Sequence, residues 1–387
     1  MKILNENKTR RNATCDAPHN SGTRLHSGAP QKNGTPRRYG PRILAALLLT
    51  VLLAGLVAGC SVGRKDDGKI RIVTTIFPEY DWVREVLGDN PAGAELTLLT
   101  ESGVDMHSYQ PAASDILTIA GCDLFIYVGG ESDAWAANAL KQRKNDNRLV
   151  INLMETLGSD ARAEELVESM EDACDTDDHD TEGDPGNTGR DTGATPADNR
   201  HSHVDTPEYD EHVWLSLRNA ARFVTKISEA LQTLDPAHAE DYKKNAEAYL
   251  AKLSALDEQY KKTVEAAPVK TLLFGDRFPF RYLTEDYGLT YYAAFVGCSA
   301  ETEASFATIT FLAGKLNELA LPAVLTIEGS DGKLAQTVSK TAKPDPARQI
   351  LSLNSLQSVT KADIDAGATY LGIMTDNLDV LRVALGL

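Results

Sequence analysis

Residues 235–268 read DPAHAEDYKKNAEAYLAKLSALDEQYKKTVEAAP, and the fold turns on this stretch. Asp235-Pro236 is a helix start, with the aspartate as cap and the proline in the first turn. Tyr242, Ala246, Tyr249, Leu253, Leu256 and Tyr260 then recur every three or four residues, the apolar stripe of a helix. Pro268 ends it, so the helix is expected over 236–267. At 1.5 Å per residue it would span roughly 48 Å, enough to bridge two lobes.

On both sides of this helix, strands alternate with helices. Upstream, strands are expected at Ile70–Phe77, Glu95–Leu99, Cys122–Val128 and Arg148–Leu153, with helices at Tyr80–Leu87, Ala112–Ala120 and Ala134–Arg143. Pro78 is taken to end the first strand. Downstream, strands are expected at Val269–Phe274, Leu289–Val296, Ala323–Ile327 and Ile350–Leu353, with helices near 278–286, 303–320, 331–341 and 366–385. Such alternation implies an α/β class: two lobes, each a mostly parallel sheet flanked by helices, joined by one long rigid helix. The expected domains are an N-terminal lobe over 69–235, the connecting helix over 236–267 and a C-terminal lobe over 268–387. Residues 171–210 interrupt the first lobe with thirteen Asp/Glu and almost nothing apolar. That stretch cannot bury enough surface to offset the entropy of ordering it, and is read as a disordered insertion.

Charge separates the chain into two parts. Residues 1–59 hold nine Lys/Arg against two acids, whereas residues 60–387 hold 30 against 54, a formal charge of −24. So acidic a surface repels phosphate backbones and attracts cations, which excludes nucleic acid as a partner. The one long apolar run, Ile43–Gly59, is short for a membrane span and follows the basic stretch PRRYGPR, the pattern of a signal peptide over 1–59. It closes on Val57-Ala58-Gly59-Cys60, which resembles a bacterial lipobox. That likeness implies lipidation of Cys60, a tether over 60–68, and attachment to the outer face of the cytoplasmic membrane. After processing, Cys122, Cys174 and Cys298 remain, without C-x-x-C spacing; Cys122 and Cys298 sit in apolar stretches and read as small core residues.

In parallel α/β lobes, ligands gather at the carboxyl ends of strands. His107 lies in the loop after the second strand, and His212 lies where structure resumes after the insertion, so together they form a candidate two-imidazole metal site. Three ordered motifs carry a resemblance: Thr74-Thr75-Ile76-Phe77-Pro78-Glu79-Tyr80-Asp81, Gly103-Val104-Asp105-Met106-His107-Ser108-Tyr109-Gln110-Pro111, and Asp210-Glu211-His212-Val213-Trp214-Leu215. From about residue 69 onward the chain resembles the metal-binding lipoproteins of ABC importers for zinc and manganese, the zinc-uptake and TroA-like family. The acidic, histidine-bearing insertion is similar to the loop of its zinc-type members, which makes His179, His201 and His203 a candidate auxiliary trap.

The resemblance implies His107 and His212 as two metal ligands and a monomer that hands its ion to a membrane permease and its ATPase. It implies a third ligand, His or Glu, after the first strand of the second lobe. The matching position is read as Gly275, so either Asp276 substitutes, or water does, or Glu301 or Glu303 reaches in. The fourth, a carboxylate, is expected at Glu328, with Asp331 as the other choice. Two imidazoles with carboxylate suit Zn²⁺, and a more oxygen-rich set would lean toward Mn²⁺. Neutral imidazoles bind metal, so capture is expected to weaken as pH falls through about 6.5. Three other readings remain open at this point. A metallohydrolase could use an open place at Gly275 with Asp276 or Glu303 as base, although H-E-x-x-H, G-x-S-x-G and P-loop motifs are absent. A surface interaction protein could bind through the insertion. A metal-chelate binder could use Arg277, Phe278, Phe280 and Tyr282.

Overall fold

A computed structural model describes residues 68–142, 145–168, 170, 208–299 and 303–387, all within the compact unit Arg64–Leu387. The leader, Cys60, His179, His201, His203 and Glu301 lie outside the described residues. No described helix is long and apolar enough to cross a membrane.

The first sheet is built from β1 (Arg71–Thr74), β2 (Glu95–Leu98), β3 (Leu124–Tyr127) and β4 (Leu149–Asn152), all parallel, in the order β2-β1-β3-β4. Helices α1 (Phe77–Leu87), α2 (Ala113–Gly121), α3 (Ala136–Lys141) and α4 (Leu153–Leu157) belong to this lobe. After the insertion come α5 (Leu217–Leu234) and the long α6 (Ala239–Ala266). The second sheet, β5 (Thr271–Phe278), β6 (Thr290–Val296), β7 (Ala323–Ile327) and β8 (Gln349–Leu353), is also parallel and ordered β6-β5-β7-β8. Its helices are α7 (Arg281–Tyr287), α8 (Phe306–Glu318), α9 (Lys333–Thr341), α10 (Lys361–Asp365) and α11 (Tyr370–Ala384). The two sheets therefore repeat one strand order.

Helix α6 buries Tyr242, Ala246, Tyr249, Leu253, Leu256 and Tyr260, the stripe read from the sequence. Its start differs from expectation. Pro236–His238 form a 3-10 turn, and the Asp235 carboxylate accepts from His238 Nδ1 (2.6 Å) and the Tyr242 hydroxyl (2.7 Å). The insertion is also shorter than expected at its C-terminal end. Tyr209 bridges to Ala163, and Glu164 N donates to Glu208 O at 2.7 Å, so residues 208–210 are paired backbone.

Pro78 does not merely stop β1; it lies in the first turn of α1, where a missing N–H costs nothing. Glu79 Oε2 reaches back to accept from Thr75 N (2.8 Å) and Ile76 N (3.3 Å), closing the strand-to-helix corner. This carboxyl is fully buried, and burial, helped by the neighbouring Asp133, raises its pKa from 4.5 to about 8. The folded protein thus holds a proton that the unfolded chain releases above about pH 4.5. Stability from this group is complete at acidic pH and lost as pH rises through about 8. Glu79→Gln is expected to keep the fold and flatten the fall in stability between pH 5 and 8 by up to about 1.4 kcal/mol per pH unit. Denaturant titrations of both proteins across that range check this.

Candidate metal centre

His107 occupies the short 3-10 turn Met106–Ser108 after β2. Asp105 caps that turn, accepting from His107 N at 3.0 Å, and Met106 plugs it into the core. His212 is placed by its neighbours on both sides. Val213, Trp214 and Leu215 are sunk in the core, and Asp210 Oδ1 accepts from both the backbone N (2.8 Å) and Nδ1 (3.0 Å) of His212. Because a carboxylate only accepts, Nδ1 carries a hydrogen, and Nε2 is the ring nitrogen turned toward His107. His107 Nδ1 lies 2.7 Å from Ser132 Oγ and 3.6 Å from Glu211 Oε2. The outer nitrogen of each ring is occupied, and the two Nε2 atoms face each other at 3.1 Å. Two bonds of about 2.0–2.1 Å to one tetrahedral Zn²⁺ require N···N of about 3.3 Å, so the pair is spaced for a shared ion.

Burial, and secondarily the facing His212, lowers the His107 pKa from 6.5 to about 4. The His107 imidazole is therefore neutral well below pH 6.5.

The second lobe brings Cys298 to the pair. Its Sγ and the two imidazoles lie within 4.8 Å of one another. Among the described residues, these three are the group of His, Cys, Asp or Glu side chains so gathered. Cys298 follows β6, is half-buried rather than a core residue, and its backbone N–H donates to the Glu164 carboxylate. Burial, then Glu164, Asp210 and Glu211, push its thiol pKa up, so the metal-free site holds a thiol. Gly297 makes the approach feasible, since an added Cβ would lie 2.8 Å from His212 Cε1 and 2.9 Å from Phe278 O.

The carboxylates named from the sequence are placed elsewhere. Asp276, Glu328 and Asp331 do not join this group; they line a neighbouring cleft of about 950 Å³, which the imidazoles do not line. Glu328 is engaged by Ser355 N (2.7 Å), Ser355 Oγ (2.6 Å) and Gln357 N (3.3 Å). Asp331 is exposed and pairs with Lys333 at 2.5 Å, and Asp276 accepts from Arg277 N at 2.9 Å. Glu303 lines the same cleft. A side chain at 275 would meet α9, its Cβ lying 2.6 Å from Ala335 Cα, so this glycine lets α9 lie against β5. Arg277 instead crosses the lobes, reaching Asp105 Oδ2 (3.1 Å) and Ser299 O (3.3 Å). Phe278, Phe280 and Tyr282 are buried and pack the core, which leaves the chelate reading only Arg277.

Sequence reasoning placed Cys298 in the core rather than beside the histidines, because an apolar strand precedes it. The available signal was its position, directly after the strand that corresponds to β2 in the repeated order.

A family model described as zinc-uptake complex component A, periplasmic, matches residues 72–384. The chain belongs to this family. The zinc-binding lipoprotein AdcA of Streptococcus pneumoniae TIGR4 is 32% identical over 339 residues, covering 87% of this chain and 60% of that protein. The chain thus spans about 60% of the length of its AdcA relatives. The high-affinity zinc uptake system protein ZnuA of Bacillus subtilis is 27% identical, covering 89% and 96%. Among solved structures, the Zn(II)-bound ZnuA-like domain of S. pneumoniae AdcA superposes with a TM-score of 0.60 at 27% identity, over 83% of this chain and all of that one. The lipoprotein YcdH of B. subtilis gives 0.61 at 26%, over 82% and 100%. The fold expected from the strand–helix alternation is that of this zinc-uptake family.

Two outcomes follow from the geometry. In the metal-free protein, the His107 ring resonances should titrate with a midpoint near 4 rather than 6.5, read by NMR. Gly297→Ala should displace the His212 ring and weaken zinc binding about 10–100-fold, the usual cost of disturbing the support of a ligand. A competitive chelator assay measures it.

Proposed function

We propose that the chain captures Zn²⁺ outside the cytoplasmic membrane, with His107 and His212 as ligands, and delivers it to the permease of an ABC importer driven by its ATPase. The observation that carries this is the pair of Nε2 atoms facing at 3.1 Å with both outer nitrogens held. A buried imidazole kept neutral has no use in packing that an apolar residue would not serve better, but it is what a borderline-soft ion needs. The acids around it, Asp210, Glu211 and Glu164, favour a cation over an anion. Relatives named for zinc binding and zinc uptake support the same cargo, and none of them is named as an enzyme. Lipidation at Cys60 would hold the protein at the membrane face beside its permease.

Chelator-competition titration of the full chain with Zn²⁺ and Mn²⁺ tests this reading. One tight zinc equivalent is expected. His107→Ala and His212→Ala should each weaken it beyond the roughly 10–100-fold typical of lost outer-shell partners. Wild-type affinity in either variant, or tighter binding of Mn²⁺, would remove zinc capture at this site.

A further inference from the structure

We propose that Cys298 is the third metal ligand, a thiolate supplied by the C-terminal lobe, and that it sets the preference for Zn²⁺ over Mn²⁺. The inference rests on the zinc-capture reading and assigns the part of the site that the carboxylates were expected to fill.

Three separate segments of chain place their donor atoms together here: the loop after β2, the turn before α5 and the loop after β6. A tetrahedral ion with bonds of about 2.3 Å to sulfur and 2.05 Å to nitrogen needs S···N of about 3.6 Å. The observed limit of 4.8 Å leaves at most about 1.2 Å to close. Rotation about the one side-chain torsion of cysteine can close it. The backbone is already placed, with Cys298 N held by Glu164, Ser299 O held by Arg277, and Gly297 leaving room for the His212 ring. Beside the pair, Glu211 Oε2 is buried without a hydrogen-bond partner, 3.6 Å from His107 Nδ1. An uncompensated buried oxygen there is stabilised by a cation at the site.

Chemistry then decides between metals. On binding, the thiol S–H breaks, its proton goes to solvent, and an S–Zn bond replaces a bond from zinc to water. The resulting N₂S set is soft enough to favour zinc and poor for Mn²⁺, which prefers carboxylate, carbonyl and water oxygen. The fourth position is left to water or to a ligand from the cleft.

Cobalt substitution of the full chain reads the sulfur directly. Wild type loaded with Co²⁺ should show a near-ultraviolet thiolate-to-cobalt charge-transfer band, and Cys298→Ser should lose it while still binding cobalt through the histidines. Cys298→Ser should also weaken zinc at least tenfold and narrow the zinc-to-manganese affinity ratio. Bound zinc should protect Cys298, mapped by mass spectrometry, from alkylation. A wild-type protein that binds zinc through His107 and His212 but shows no band overturns the proposal alone. So does a band, a zinc affinity or a selectivity unchanged in Cys298→Ser. Absence of tight zinc binding in wild type overturns the underlying reading as well.

Discussion

Trp214 is the joint on which both the site and the lobe arrangement depend. Its indole is fully buried, its Nε1–H donates to Ser355 O of the second lobe at 2.9 Å, and its own carbonyl accepts from the Tyr370 hydroxyl at 2.7 Å. Two residues earlier stands His212, whose ring lies 5.3 Å from the indole. The backbone that carries the imidazole is therefore anchored by a buried indole and two interlobe hydrogen bonds, and the ring itself is held by Asp210. Preorganisation of this kind holds the two rings with their Nε2 atoms 3.1 Å apart.

The same joint limits how the protein moves. One continuous apolar cluster runs from Ile72 in β1 through Trp82, Trp214 and α6 to Leu385. Tyr370, at the start of α11, donates its N–H to Asp81 Oδ2 in the first lobe at 2.7 Å and lies edge-on to Trp82. Opening the lobes as rigid bodies would expose that cluster, at about 25 cal/mol for every Å² of apolar surface. On the zinc-capture reading, release of the ion is therefore a local event at the loops. The contact suited to it is Arg277, which holds the His107 turn through Asp105 and the Cys298 loop through Ser299. Its reach depends on the irregularity in β5 between Phe274 and Arg277, where the register with β6 shifts.

The sheets, the connecting helix and the positions of His107 and His212 were legible because each rests on short-range pattern. Apolar periodicity dictates α6, β-branched runs dictate the strands, and a histidine beside a strand end is visible by spacing alone. The rest depended on three-dimensional neighbours. Gly275 was read as a vacated ligand position, but what it accommodates is Ala335 of α9, sixty residues away. Glu328 looks like a ligand from its place after β7, yet its oxygens are taken by Ser355 and Gln357. Pro78 was read as a strand terminator because only the fold shows Glu79 closing the corner behind it. Cys298 was hidden by the apolar strand that carries it.

The repeated strand order explains why the candidate donors come from where they do. Both sheets run 2-1-3-4, so β6 stands in the second lobe where β2 stands in the first. His107 leaves the carboxyl end of β2 and Cys298 leaves the carboxyl end of β6. Equivalent strand ends in the two lobes thus deliver one donor each to the same point, and His212, fixed by the buried Val213–Leu215 turn, supplies the third from the seam. β5 is central in its sheet, and its carboxyl end, at Arg277, is committed to holding both outer loops. A positive guanidinium at that position, even paired with Asp105, disfavours a cation nearby, so the remaining donor is best both anionic and soft. A thiolate does both jobs at once: it cancels charge introduced by the ion and contributes a bond that oxygen-preferring metals value less.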